Sequence, residues 1–218
     1  MKKISYEEYI SILDDSRILI PGKVFELRNG NILKLFRLKR FFTSGRLFPF
    51  ARRFAGNAEK LKALQIPTVQ VLGTYRIPVL GQTAVLYEKL KGIVLDDRLG
   101  DDPVGDDMAE RLAAFVAALH EKGVYFRSIH SGNIVICPHG EFGLIDILDM
   151  SIHHRRLGFR LRLRNFNHIF RNDRDRKRMR PSRDRFLKRY QSLSSLTGRQ
   201  AEKLQKRITQ LLNEPGRP

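Results

Sequence analysis

Asn133 and Asp146 are the two residues whose types and spacing ask first for a chemical explanation in this 218-residue sequence. An amide oxygen beside a carboxylate suits a hard cation such as Mg²⁺, which takes oxygen ligands and shares them with phosphates. The surrounding residues place both at strand mouths. Lys122 and Gly123 supply the cation and the left-handed residue that end a helix. An irregular loop, Phe126 to Gly132, leads into a short apolar strand, Ile134 to Cys137. The turn Pro138-His139-Gly140 then opens a second strand, Phe142 to Ile145, that delivers Asp146 at its end. Paired in this way, the strands let Asn133 and Asp146 face one site.

The loop between them carries further candidates. Ser128 is short and neutral, so it can orient a hydroxyl but accepts its proton poorly at pH 7. Arg127 can contact a phosphate or stand in solvent. No second His or Cys lies at ligand spacing from His130, so a loop-bracing role suits it better than metal ligation. Asp149, three residues past Asp146, is a candidate substitute base or second metal contact.

Leu119-His120-x-x-Gly123-Val124, His130-Ser131-Gly132-Asn133-Ile134 and Leu144-Ile145-Asp146 resemble, in order and spacing, the catalytic half of protein-kinase-like phosphotransferases. The wider chain resembles the lipopolysaccharide-kinase branch, the Kdo and heptose kinase-like proteins that include those called toluene tolerance proteins. The resemblance implies an α+β, bilobal protein-kinase-like fold with a β-rich N-lobe over residues 1–88 and a helical C-lobe over 89–218. It implies ATP and Mg²⁺ as cofactors and Asn133 and Asp146 as metal ligands. Lys34 would bind nucleotide phosphates, and Glu88 would lie in the interlobe hinge Tyr87-Glu88-Lys89-Leu90. The helix that usually pairs a Glu with the strand lysine offers Glu59, although Asn57 falls at the expected place. Arg127, Arg155, Arg156 and Arg164 would hold the phosphates of a lipopolysaccharide inner-core sugar.

Three departures stand out. Ser128 occupies the place of the family's catalytic Asp, Asp146-Ile147-Leu148 keeps only the Asp of its DFG-like triplet, and no G-x-G-x-x-G is present. A general base contributes about 10²–10⁴ in rate, whereas phosphoryl transfer draws mainly on positioning and charge stabilisation. An active phosphotransferase and a nucleotide-binding pseudokinase both follow from such a site.

The elements needed to position these groups are legible in outline. A lead-in helix spans Ile4 to Leu13; strands follow at Ile18–Ile20, Lys23–Leu27 and Ile32–Phe36, the last two joined by an Asn29-Gly30 turn. Lys34 lies inside the third strand, facing away from Leu33 and Leu35. A helix over Ala55–Leu64 and strands at Thr68–Leu72 and Thr83–Leu86 complete the first half. Gly92 to Asp107 reads as an exposed acidic connector, and Asp107 with Glu110 has capping-box spacing. The helix after it carries the stripe Met108, Leu112, Phe115, Val116 and Leu119, ending at His120, which suits a packed structural histidine. Phe186–Leu193 and Arg199–Leu212 read as closing helices.

Composition bounds the partners. Hydrophobic residues make up 42%, too many for a disordered chain. The net charge is +18 and uneven: residues 151–218 hold 20 Lys and Arg against 5 Asp and Glu. That asymmetry calls for an anionic partner, whether phosphorylated glycolipid, anionic membrane surface or nucleic acid. Arginine alternates with Leu and Phe over Arg160–His168, so the cations are expected to point outward. Between Leu27 and Ala58, eight basic residues and no acidic one mix with Phe41, Phe42, Phe48, Phe50 and Phe54. This pattern serves a nucleic acid or lipid headgroup, or a solvated face over buried rings. No apolar run is long enough to span a bilayer and no signal peptide is legible, so the expected place is the cytoplasm, peripheral to the inner membrane. The single Cys137, in an apolar strand, suits packing in a reducing compartment.

Overall fold

Ser5 starts the first helix by accepting from the Glu8 N–H while the Glu8 carboxylate accepts from the Ser5 N–H, a complete capping box. In the computed structural model, which describes residues 1–37 and 49–214, this helix (α1, Tyr6–Leu13) follows a short strand (β1, Lys2–Lys3). Then come β2 (Arg17–Ile20), β3 (Val24–Glu26), β4 (Ile32–Arg37), α2 (Phe50–Ala63), β5 (Gln70–Ile77) and β6 (Gln82–Glu88). The strands form one sheet in the order β1-β5-β6-β4-β3-β2, antiparallel except for the β1–β5 pair. Gly30, at φ +81°, makes the tight β3–β4 turn that an L side chain resists. One sheet face buries Phe25, Leu33, Leu35, Ile77 and Ala84 against Ile4 and Tyr9. On the other, Phe54 of α2 meets Phe36 and Tyr87 at ring-centroid distances of 6.2 and 5.4 Å.

The chain divides into two compact units, Met1–Lys91 and Gly92–Pro218. The first is the sheet with its helices. The second begins with β7 (Ile93–Val94), α3 (Leu95–Leu99), α4 (Asp106–Glu121) and β8 (Val124–Phe126). It continues through β9 (Ile134–Ile136), β10 (Phe142–Leu144), β11 (Met150–Ile152), α5 (Phe159–Ile169), α6 (Asp173–Met179), α7 (Arg183–Leu193) and α8 (Gly198–Asn213). The protein is therefore α+β, with a β-sheet N-terminal region and a helical C-terminal region. In the second unit β10-β9-β7 form one small sheet and β11-β8 another. Gly123 ends α4 at φ +77°, where a Cβ would sit 2.4 Å from the His153 carbonyl and 2.5 Å from that of Arg155. Only glycine lets the β11 side of the chain close so tightly on that helix end.

Several expectations need correction. The segment from Gly92 to Asp107 is not an exposed connector: Leu95, Leu99 and Val104 are buried, and the Val104 N–H donates to the Arg178 carbonyl at 2.8 Å. Its acidic composition hid three apolar anchors. The cap of α4 is Gly105, not Asp107, and no side-chain cap bond forms. α2 starts at Phe50 rather than Ala55, and β5 runs on to Ile77 because Tyr75 and Arg76 pair with Ala84 and Thr83. The late arginines do not all point outward. Arg162, Arg176 and Arg178 are buried, each desolvated but bonded to carboxylates or carbonyls, as burial of a charge requires. The expectations for Lys39, Arg40, Phe41, Phe42, Arg46 and Phe48 lie outside the described residues.

Candidate active site

The β9–β10 hairpin decides where Asn133 and Asp146 stand. Leu144 pairs with Ile134, and one step further the Ile145 N–H donates to the Asn133 carbonyl at 3.1 Å. Asn133 closes a 3₁₀ turn, Ser131–Asn133, capped by His130, whose Nδ1 accepts from the Gly132 N–H at 3.1 Å. His130 therefore braces the loop, as the sequence suggested. The Asn133 Nδ2 donates to the Ser128 carbonyl at 2.7 Å. That bond orients the amide and leaves Oδ1 as the oxygen available to a ligand. Asp146 is exposed and sits in the left-handed region at φ +51°. Asp tolerates that conformation better than most L residues, and it turns the chain sharply out of β10 before the buried Ile147.

One amide oxygen and one carboxylate make a partial donor set. Among the described residues no group of three or more His, Cys, Asp or Glu could hold a metal ion by itself. The pair instead fits a cation that keeps several waters and borrows phosphate oxygens, the habit of Mg²⁺ rather than of a structural metal.

Arg127 follows β8, and its N–H donates to the Asp149 carbonyl at 2.9 Å. The opposite end of the β8–β11 ribbon is held by the His153 N–H on the Gly123 carbonyl at 3.0 Å, and Arg155 and Arg156 lie beyond it, both exposed. The predicted anion-binding arginines are thus divided by the ribbon. Arg127 and Arg164 are brought together instead by His168, whose Nε2 lies 3.1 Å from the Tyr125 hydroxyl. Burial holds the His168 pKa below the usual histidine range, helped by the charges of Arg127, Arg171 and Arg164 and opposed by Asp149.

A second, structural set of polar residues fixes the same loop. Arg178 donates to Asp96 Oδ1 at 2.5 Å and to the Gly100 carbonyl, and the Ser131 hydroxyl donates to Asp96 Oδ1 at 2.9 Å. The Arg178 guanidinium holds the Asp96 carboxyl below its ordinary range, with the Ser131 bond acting the same way and partial burial opposing. A cleft of about 480 Å³ opens beside this anchor, lined by His130, Ser131, Gly132 and residues from Arg171 to Arg176. Sequence reasoning missed Asp96, Arg178, His168 and Arg171. Only the i, i+4 spacing of Arg164 and His168 offered a signal.

In the sheet unit, Lys34 pairs with Val24 and Val85 and extends its Nζ to 5.9 Å from the Phe36 ring centroid. Lys34 and Phe36 share the face opposite Leu33 and Leu35, as strand alternation requires. Glu59 is exposed on α2, lines a groove with Lys62 and Gln65–Val71, and forms no ion pair among the described residues. The expected Lys34–Glu59 pairing is therefore not formed; Asn57 is the buried residue of that turn. Glu88 ends β6 opposite Gln70 and is exposed. Lys89, next to it, bridges to Glu26, which Arg17 also holds. Cys137 is buried, which pushes its thiol pKa up and makes it a packing residue rather than a nucleophile. Among the described residues no helix is long and apolar enough to cross a membrane.

No protein-family model matches the chain, and no curated protein matches it either. Among solved structures, it is similar to a divergent kinase lacking the glycine-rich loop, which regulates membrane ultrastructure of the Toxoplasma parasitophorous vacuole. The two are 17% identical, the match covers 90% of this chain and 65% of that chain, and the TM-score is 0.40. The chain thus spans less than two thirds of that structure's length.

Proposed function

We propose that this chain is a kinase-like phosphotransferase that uses ATP and Mg²⁺ and acts on a phosphorylated sugar of the lipopolysaccharide inner core. The observation that supports the reading is the hairpin mouth, where the Ile145 N–H donates to the Asn133 carbonyl and so brings the backbone of position 146 to the strand end that carries Asn133. Asn133 and Asp146 would hold a Mg²⁺ ion, which would supply positive charge to the nucleotide phosphates. The chain's own residues bind and orient. The Asn133 amide is locked by the Ser128 carbonyl, so its oxygen is presented without rotameric search. Lys34 is the residue assigned to nucleotide phosphates, and the backbone around Glu88 is the segment assigned to the adenine edge. Arg127 and Arg164, with Arg155 and Arg156 beyond the ribbon, face anionic acceptors. The exposed arginines also suit peripheral attachment to the anionic inner face of the inner membrane.

Calorimetry tests the metal and nucleotide part: wild type binds ATP only with Mg²⁺, and Asp146→Ala abolishes the Mg²⁺-dependent component. A wild type that binds no nucleotide ends the reading.

Ser128 supports a second reading, a pseudokinase that binds nucleotide without phosphotransfer, because a hydroxyl cannot serve as general base at neutral pH. Turnover on core glycolipid that survives Ser128→Ala and disappears in Asp146→Ala favours the enzyme. Binding without turnover favours the pseudokinase. Salt-dependent affinity for RNA above that for glycolipid would instead make the basic half a nucleic-acid surface.

A further inference from the structure

Two sets of arginines in the helical unit differ in what their guanidinium groups meet. Arg162, Arg174, Arg176, Arg178 and Arg207 all donate to named carboxylates, carbonyls or amide oxygens. Arg127, Arg164 and Arg171 are exposed and make no side-chain hydrogen bond or ion pair among the described residues. These three arginines come from three different stretches of chain, each tied to His168 or its partner Tyr125. Tyr125 reaches His168 at 3.1 Å, and Arg127 stands in the turn directly after β8, the strand that carries Tyr125. Arg164 precedes His168 by one helical turn on the same face of α5. Just past that helix, the Arg171 N–H donates to the His168 carbonyl at 3.3 Å, a turn that keeps Arg171 close to His168 in the chain path.

The electrostatics agree with this placement. All three arginine charges act on the His168 ring, and Asp149 is the one carboxylate that acts against them. Three guanidinium groups against one carboxylate leave a local excess of positive charge, and such an excess repels itself unless an anion joins it. A planar guanidinium fork matches two oxygens of a phosphate, and several forks from different directions match a dianion better than a carboxylate.

We propose that Arg127, Arg164 and Arg171 form a binding site for a phosphomonoester dianion, with His168 as its floor. The site rests on the phosphotransferase reading for its role as the anchor of the acceptor, though not for its existence. A soluble phosphorylated metabolite and a phosphorylated lipid headgroup present the same dianion, and the test separates them.

The measurement is made at physiological ionic strength on the full chain with isotope-labelled histidine, without nucleotide or Mg²⁺. Inorganic phosphate is titrated first, then phosphatidylcholine vesicles with and without phosphatidic acid. Binding moves the His168 ring resonances. Arg127→Gln, Arg164→Gln and Arg171→Gln each weaken affinity by about tenfold or more, the loss of a charge-assisted bond, and each Arg→Lys variant recovers part of it. Arg199→Gln, exposed at the start of α8, leaves affinity unchanged. Tighter binding to phosphatidic acid vesicles than to free phosphate supports the site and assigns a headgroup; equal or weaker binding supports it and assigns a soluble phosphomonoester. If phosphate leaves His168 unmoved, or Arg199→Gln weakens binding as much as the other three, the attraction is diffuse and the proposal fails. Because ATP is absent, failure here is distinct from failure of nucleotide binding.

Discussion

Asn133 and Asp146 are separated by twelve residues of hairpin and joined by a single step of its ladder, the Ile145 N–H on the Asn133 carbonyl at 3.1 Å. The backbone thereby brings an amide and a carboxylate to the same strand mouth without asking either side chain to form part of the hairpin. The Asn133 side chain bonds the loop through Nδ2, and Asp146 leaves β10 through a left-handed turn. The proposed ligand site and a conformational constraint therefore coincide at position 146.

That coincidence separates charge from backbone. Asp146→Gly and Asp146→Ala both remove the carboxylate, but only Ala must hold φ near +51° with a Cβ. Asp146→Ala is expected to be less stable than Asp146→Gly by about 1 kcal/mol. Both are expected to lose Mg²⁺-dependent ATP binding. Chemical denaturation checks the first statement and calorimetry the second; equal stability of the two variants would show that the left-handed turn relaxes.

Buried His120 makes the helical unit sensitive to acid. The Asn165 Nδ2 is committed to the Phe126 carbonyl at 2.6 Å, so His120 Nε2 donates to Asn165 Oδ1 at 3.0 Å. Its Nδ1 then accepts from the Tyr190 hydroxyl at 2.7 Å. Burial pushes the His120 pKa down to about 4 and that of Tyr190 up to about 12. Between about pH 6.5 and 4 the unfolded histidine binds a proton that the folded one refuses, so stability falls as pH drops through that window and is level above it. The slope attributable to one such site is at most about 1.4 kcal/mol per pH unit. Urea unfolding of wild type and His120→Gln from pH 4 to 8 isolates it, and the same pH dependence in both would refute it.

Arg178 ties three segments together, so its loss reaches the loop. Arg178→Met removes the charge-assisted bond to Asp96 and the bond to the Gly100 carbonyl, leaving Asp96 held by Arg174 and Ser131 alone, for an expected loss of about 2 kcal/mol. A double-mutant cycle with Asp96→Asn is expected to return a coupling of at least about 1 kcal/mol. Hydrogen exchange at residues 130–133 should accelerate in the single mutant; unchanged protection there would place the anchor elsewhere.

Gly123→Ala puts a methyl group against two backbone carbonyls in a conformation that L residues avoid. The expected destabilisation is about 2 kcal/mol or more. It should appear as loss of protection in β8 and β11 while the sheet unit is unaffected. A melt shifted by less than about 1 °C would contradict it.

Local signals read most directly from the chain. Asn29-Gly30 marked its hairpin turn and Gly123 its helix end, because turns and helix ends depend on a few adjacent residues. The Ile134 and Phe142 strands were legible for the same reason, and with them the placement of Asn133 and Asp146. Arg162 was misread as surface because its acceptor, Glu121, lies far off in sequence, as do Asp96 and Gly100, the acceptors of buried Arg178. Leu95, Leu99 and Val104 were misread because an acidic segment can still bury its few apolar residues.

The sequence by itself determined the order of β2 to β6 with α1 and α2, the α4 helix, the β9–β10 hairpin that carries Asn133 and Asp146 at its mouth, the two closing helices and the charge asymmetry. Those follow from chemistry among near neighbours. Tertiary structure alone decided which arginines are spent on internal acceptors and which stay exposed, and it gathered Arg127, Arg164 and Arg171 around His168. A charge's fate depends on what long-range folding brings within a few ångströms of it, and no local pattern records that.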